Sequence, residues 1–255
     1  MVITFLGTGT SGGIPVLTCN CEVCRSLDYR DKRLRVSVLI ETGDKNIVID
    51  SGPDFRQQAL RENIKKLDAV VFTHEHKDHT GGLDDVRPYN YLHGIRHLSI
   101  YGHRRVLNQL KNEYHYAFAE NKYPGVPLLQ CHEIEHEPFD VEGIRFIPIQ
   151  VMHHKLPVLG YRIGDFSYIT DANFIADEEL EKLKGTKVLV LNALQHTPHI
   201  SHFNLQEAIQ NVEKIKPEKA YFTHISHKLG LHSDVQKDLP ENIFLAYDGL
   251  KINLL

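Results

Sequence analysis

The sequence predicts an α/β protein built as a four-layer sandwich, two packed sheets with helices on both outer sides. Two observations carry this. Short β-rich runs alternate with helical patterns in both halves of the chain. The halves also share a phrase, LDAVVFTH at 67–74 and PEKAYFTH at 217–224, each an apolar strand ending in Thr-His, which reads as an old internal duplication.

In order, the first half offers strands at 2–7 (VITFLG), 35–42 (RVSVLIET), 46–52 (NIVIDSG), 68–74 (DAVVFTH) and 98–102 (LSIYG). Between and after them lie helical patterns at 55–66 and 104–118, with apolar residues recurring at three and four. The second half offers strands at 144–151, 160–164, 166–171, 187–194, 219–224 and 243–254, with helices near 177–185 and 204–216. No low-complexity linker or charge block divides the chain, so residues 1–255 are expected to form one domain with a small metal loop at about 17–26. Residues 6–13, LGTGTSGG, place glycines after a strand but lack the lysine and following helix of a phosphate loop.

The composition is that of a water-soluble globular protein, 42% hydrophobic and 24% charged, and no apolar run approaches a membrane span. The N-terminal residues show no leader pattern, so a cytoplasmic location is expected. A net charge of -4 argues against a broadly basic nucleic-acid surface. Histidine is abundant, 17 residues, and cysteine scarce, four, of which Cys19, Cys21 and Cys24 cluster while Cys131 stands alone and reads as a buried thiol. In a reducing compartment clustered thiols are metal ligands more often than disulfide partners.

The chemistry concentrates after the strand AVVF, in THEHKDHTGG. A loop leaving a strand can aim the alternate residues His74 and His76 at one ion, while Asp78 and His79, where the chain turns, serve a second. Gly81 and Gly82 are expected to let the backbone turn into a following helix. Further candidates recur at later strand ends: His153 or His154, Asp171, and His224 with His227.

With these residues the chain resembles the metallo-β-lactamase superfamily over essentially its whole length. The resemblance implies an αββα sandwich and two catalytic divalent ions, zinc or manganese. It implies His74, His76 and His153 on the first ion, Asp78, His79 and His224 on the second, and Asp171 bridging. His153 is preferred to His154 on its spacing to Gly160 and Tyr161. Asp50, in IDSG, resembles the buried aspartate that supports the ligand loop. A glutamate in place of His76 would mark the di-iron branch and a cysteine in place of Asp171 the zinc β-lactamases. Neither is present.

CNCEVC (19–24) together with THISH (223–227) is similar to the cyclic-phosphate phosphodiesterases of phosphonate breakdown, the PhnP type. That resemblance implies one structural zinc held by Cys19, Cys21, Cys24 and His227, a closed thiolate-rich site. It further implies hydrolysis of a small phosphodiester, such as a phosphoribosyl cyclic phosphate, by attack of a metal-bridging hydroxide. His202 is then expected to protonate the leaving group, with Asp78 sharing proton transfer. Two rival expectations are an RNA 3′-end nuclease and an accessory protein of pyrroloquinoline quinone synthesis. Only residues 154–170 separate His153 from Asp171, leaving no room for the long RNA-gripping arm of bacterial 3′-end nucleases. Membrane partners are not expected, nucleic acid is disfavoured, a homodimer is the default, and specificity is expected in loops 84–97 and 111–140.

Overall fold

A computed structural model describes residues 1–92, 94 and 96–254. His93 and Ile95, within the 84–97 specificity segment, and Leu255 lie outside the described residues. The first sheet is built from β1 (Val2–Gly7), β2 (Ser37–Thr42), β3 (Lys45–Ile49), β4 (Ala69–Val71), β5 (Leu98–Gly102) and β6 (Leu129–Glu133). The second contains β7 (Phe139–Val141), β8 (Ile144–His153), β9 (Leu156–Ile163), β10 (Phe166–Ile169), β11 (Phe174–Ile175), β12 (Val188–Asn192), β13 (Lys219–Thr223) and β14 (Ile243–Leu245). The last strand, β15 (Lys251–Asn253), returns to the first sheet and pairs antiparallel with β1. The orders are β15-β1-β2-β3-β4-β5-β6 and β11-β8-β9-β10-β12-β13-β14, with β7 paired to β8.

Side-chain alternation assigns the layers. In β3, Ile47 and Ile49 face the opposite sheet while Val48 faces the helices; β4 repeats this with Ala69 and Val71 against Val70. The inner core joins residues of both sheets, such as Ile3, Phe5, Phe146, Tyr161 and Val190. One outer core packs the first sheet under helices Phe55–Arg61 and Arg104–Glu113 through Phe55, Val106, Leu107 and Leu110. The other packs the second sheet under helices Asp177–Leu183 and Leu205–Ile215 through Leu183, Ala208, Val212 and Ile215. Four layers result, as the alternation predicts. With both faces covered, the central strands are apolar runs.

Several elements differ from expectation for local reasons. The run at 243–254 is two strands in different sheets. Asp248 is drawn aside by Thr8 Oγ1 (2.7 Å) and the Leu34 amide (2.8 Å), and Gly249 turns at φ 88°. The 55–66 helix stops at Arg61, before Asn63 enters the left-handed region (φ 53°). The 104–118 helix breaks at Tyr114 (φ -105°, ψ 36°), whose hydroxyl donates to Thr80 O. Helix Leu205–Ile215 fits its signals closely: Asn204 and Glu207 form a reciprocal capping box, and Lys216 ends it at φ 56°.

Candidate metal centres

The two Thr-His phrases bring one histidine from each sheet to a common edge. β4 leads through Phe72 and Thr73 to His74, and β13 ends at Thr223, just before His224. Asp171 follows β10 between them. Asp50, Asp171 and His224 all adopt left-handed φ (62°, 54° and 54°). Such backbone is unfavourable for residues with a Cβ and gathers at functional sites.

Asp78 and His79 lie on a short helix, Lys77–Thr80, which starts inside the motif rather than after it. Gly81 and Gly82 correct the expectation in mechanism: neither takes a positive φ (-69° and -105°). They are needed for close approach instead. A Cβ on Gly82 would stand 2.0 Å from Gly52 O, and one on Gly52 would stand 2.0 Å from Asp78 O. The 50–52 turn therefore packs its bare backbone against the ligand loop.

That turn also carries Asp50, wholly buried. Its carboxylate accepts from the Thr73 amide and hydroxyl (both 2.8 Å) and contacts His79 Nδ1 at 2.7 Å. With Nδ1 engaged, His79 presents Nε2 to the cluster, 3.4 Å from Asp78 Oδ2 and 3.3 Å from Asp171 Oδ1. His224 Nε2 lies 3.3 Å from the same Asp171 oxygen and 3.8 Å from Asp78. His74 Nε2 is 3.9 Å from the other Asp171 oxygen. The rings of His74, His76 and His153 converge at centroid separations of 4.6, 5.1 and 5.8 Å, and His153 Nδ1 donates to Ser201 O (2.8 Å). His154 instead occupies an exposed turn at φ 58°.

The donor set tests whether a cation fits. His74 Nε2, His79 Nε2 and both ring nitrogens of His224 are buried without a hydrogen-bond partner. Orphaned imidazole nitrogens aimed at two carboxylates are costly in an apolar interior unless a cation completes them. The charge balance agrees. Burial works against a charged Asp171, but His224 and His79 hold its carboxyl well below the usual range. Burial likewise opposes protonation of His79, and Asp171, Asp78 and Asp50 overcome it, raising the ring well above its ordinary value. A metal would take the place of that proton.

His202 is drawn into this cluster. Its Nε2 lies 3.1 Å from Asp171 Oδ2, and its Nδ1 is 3.0 Å from Ser201 Oγ. Burial lowers the ring to about 4, against the opposing hydrogen bond from Asp171, so it is neutral at pH 7. Ser201 touches both His153 and His202, and no pattern in the residues around it marks that role.

The second cluster lies beyond His224. His227 Nδ1 stands 3.3 Å from Cys19 Sγ, 3.3 Å from Cys21 Sγ and 3.7 Å from Cys24 Sγ. A tetrahedral zinc with ordinary Zn–S and Zn–N bonds has S···N edges of about 3.5 Å, so the spacing fits. The Cys24 amide, followed by His227, lowers the Cys21 thiol to about 6. Burial raises Cys24 to about 11, and it accepts from the Val16 amide (3.4 Å). Cys131 is half-buried, not enclosed, on β6 against the helical side. Residues 8–10 pair with Ile225, which lies between the two histidines: Thr8 O accepts from Ile225 N (2.9 Å) and Thr10 N donates to Ile225 O (3.0 Å).

A family model described as a β-lactamase superfamily domain matches residues 45–225. Among solved structures, a crystal structure of a diphosphatase from the PhnP family is 42% identical, covers 100% of this chain and 98% of that one, and has a TM-score of 0.93. Zn2+-bound PqqB from Methylobacterium extorquens is 17% identical at a TM-score of 0.79, with 100% of both chains covered, a likeness of fold. Among curated proteins, an octanoyltransferase of Porphyromonas gingivalis (strain ATCC BAA-308 / W83) is 45% identical over 249 residues, which is 96% of this chain and 50% of that protein. The chain thus spans about half the length of the curated relatives it matches. It carries the fold of that superfamily and, among the described residues, clusters of histidine, cysteine and aspartate close enough to hold metal ions.

Proposed function

The chain belongs to the β-lactamase superfamily, and from that premise we propose that it is a dinuclear-metal hydrolase of a phosphodiester or diphosphate linkage in a small substrate. The observation that carries the reading is the convergence of unpartnered His74, His79 and His224 nitrogens on Asp78 and Asp171. Likeness to a PhnP-family diphosphatase over the full chain supports phosphorus rather than a lactam as the target. His74, His76 and His153 would hold one ion, and Asp78, His79 and His224 the other, with Asp171 shared. Cys19, Cys21, Cys24 and His227 would hold a structural zinc.

When bound, the catalytic pair supplies Lewis acidity, a water acidified towards neutral pH and neutralisation of charge at phosphorus. The remaining work falls to the chain. Asp50 fixes the His79 ring, and Ser201 O fixes His153, so both present Nε2. His202, neutral in its buried setting, has Nε2 turned into the cluster. An anionic substrate beside it would raise its proton affinity and let it protonate the departing oxygen.

The reading is tested by a metal-reconstituted assay against bis(p-nitrophenyl) phosphate, a ribose cyclic phosphate, a dinucleoside diphosphate, a thioester and a β-lactam. Cleavage at phosphorus with little action on phosphomonoesters is expected. Thioester or lactam hydrolysis with no phosphorus chemistry would remove the reading.

A further inference from the structure

The ligand loop is gripped from outside by the helix Arg104–Glu113. Residues alternate along the loop: His74 and His76 turn towards the metal cluster, Glu75 and Lys77 towards the helix. Arg105, Gln109 and Glu113 recur every fourth residue and so share one face of that helix. This face lies between solvent and the buried apolar side of Val106, Leu107 and Leu110. Arg105 Nε lies 2.6 Å from Glu75 Oε1, and Glu113 Oε2 lies 2.6 Å from Lys77 Nζ. Between them, Gln109 Nε2 donates to Glu75 O (2.8 Å) and to Glu113 Oε1 (2.9 Å). Both partners are acceptors, so the amino end of the amide is the end that fits, one hydrogen to each.

Glu75 O belongs to the peptide that leads into His76, and a planar peptide carries the His76 nitrogen and Cα with it. On the other side, His76 O accepts from the amides of His79 (3.0 Å) and Thr80 (3.1 Å). The backbone is thus pinned on both sides of His76. Its ring has no such hold. Thr73 Oγ1 meets the His74 ring at 3.0 Å, Asp50 meets the His79 ring and Ser201 O the His153 ring. His224 has no ring partner, but its buried setting encloses it. Among the described residues, no hydrogen bond engages the ring of His76, which is exposed at the mouth. A ligand that nothing orients through its ring depends on its backbone, and ligand orientation sets the affinity for the ion.

We propose that Gln109 is a positioning residue for the first ion: through the Glu75 carbonyl it holds His76, as Asp50 holds His79 for the second. It acts through His76 and touches neither ion nor substrate. The assignment rests on the two-ion reading under Proposed function.

The test is a double-mutant cycle on zinc affinity, read by competition with a chelator while zinc is counted per chain. Gln109→Met removes the amide with little change in length or helix propensity, and Gln109→Lys puts a donor back. Gln109→Met is expected to loosen one of the two catalytic ions by about tenfold, the low end for a residue that supports a ligand. The other ion should be unaffected, as should the melting temperature after mild chelation, when only the cage zinc remains. Gln109→Lys should recover most of the affinity. In a His76→Ala background Gln109→Met should have no further effect, whereas its loss should add to that of Asp50→Asn. Unchanged affinity, equal loosening of both ions, or a loss that persists without His76 overturns the assignment. A lowered melting temperature in the chelated protein overturns it too, by making Gln109 a support of the helix itself. Turnover plays no part, so failure of the phosphorus reading leaves the result standing. Wild type that binds no zinc beyond the cage would instead remove the two-ion reading, and this assignment with it.

Discussion

Two clusters of donor atoms each take one histidine from the segment 224–227, and they differ in almost every physical respect. The cage of Cys19, Cys21, Cys24 and His227 offers four donors, three of them thiols, within 4.8 Å of one another. Asp78, His79, Asp171 and His224 offer two imidazoles and two carboxylates, and the adjoining His76 is exposed at the mouth. A closed thiolate set leaves no position for substrate and suits a structural ion; an oxygen- and nitrogen-rich set with an open side suits catalysis. His224 and His227 are separated only by Ile225 and Ser226, yet one is almost fully buried facing carboxylates and the other half-buried facing sulfur. Two neighbouring histidines can therefore serve folding and chemistry separately, while the hydrogen bonds of Ile225 to Thr8 and Thr10 brace both.

The contrast breaks most completely at Asp171. Asp171→Asn removes the charge shared between the proposed ions, and turnover should fall by more than about a hundredfold, beyond the loss typical of a supporting residue. Metal content should drop by at least one ion with the circular dichroism unchanged. Full turnover with full metal would move the bridge elsewhere.

Asp50 sharpens the same side at smaller cost. It touches His79 through Nδ1 and stands behind the proposed ligands. Asp50→Asn should weaken metal affinity about ten- to a hundredfold, read by competition with a chelator. Unchanged affinity would make Asp50 a simple turn residue.

On the cage side, stability is the expected readout. Cys24→Ser should lower the melting temperature on the order of 10 °C, since ions bound only by the folded chain contribute directly to folding. An unchanged melting curve would divorce the cage from the fold.

The smallest effect concerns acid. Burial, then Arg33, lowers His232 to about 4, and its amide donates to Asp31 close to the cage. The fold disfavours the protonated ring, so stability is complete above about 6.5 and is lost as pH falls towards about 4. His232→Asn should flatten that part of the stability curve by at most about 3 kcal/mol. Parallel curves for both proteins would discount the residue.

Much of the architecture is legible in the sequence because burial on both faces writes strands as apolar runs: β1 falls on 2–7 as read, and β13 within 219–224. THEHKDH is legible because its donors are adjacent. What escapes is set by distant partners. The break after β14 depends on Thr8 and the Leu34 amide reaching Asp248 across the chain. The left-handed backbone at Asp50, Asp171 and His224 involves no glycine and leaves no mark in the residue types. Ser201, between His153 and His202, is an ordinary loop serine until the fold brings β8 beside it.

The division of labour between His224 and His227 is tested most directly by counting metal in three proteins, wild type, His224→Ala and His227→Ala, before and after mild chelation. His227→Ala should lose one chelator-resistant zinc and much of its thermal stability, with turnover falling only as the neighbouring loop is disturbed. His224→Ala should keep that zinc and its melting temperature and lose turnover. If His227→Ala retains every zinc and melts like wild type, the cage is not a metal site and the account of two centres on one segment is wrong.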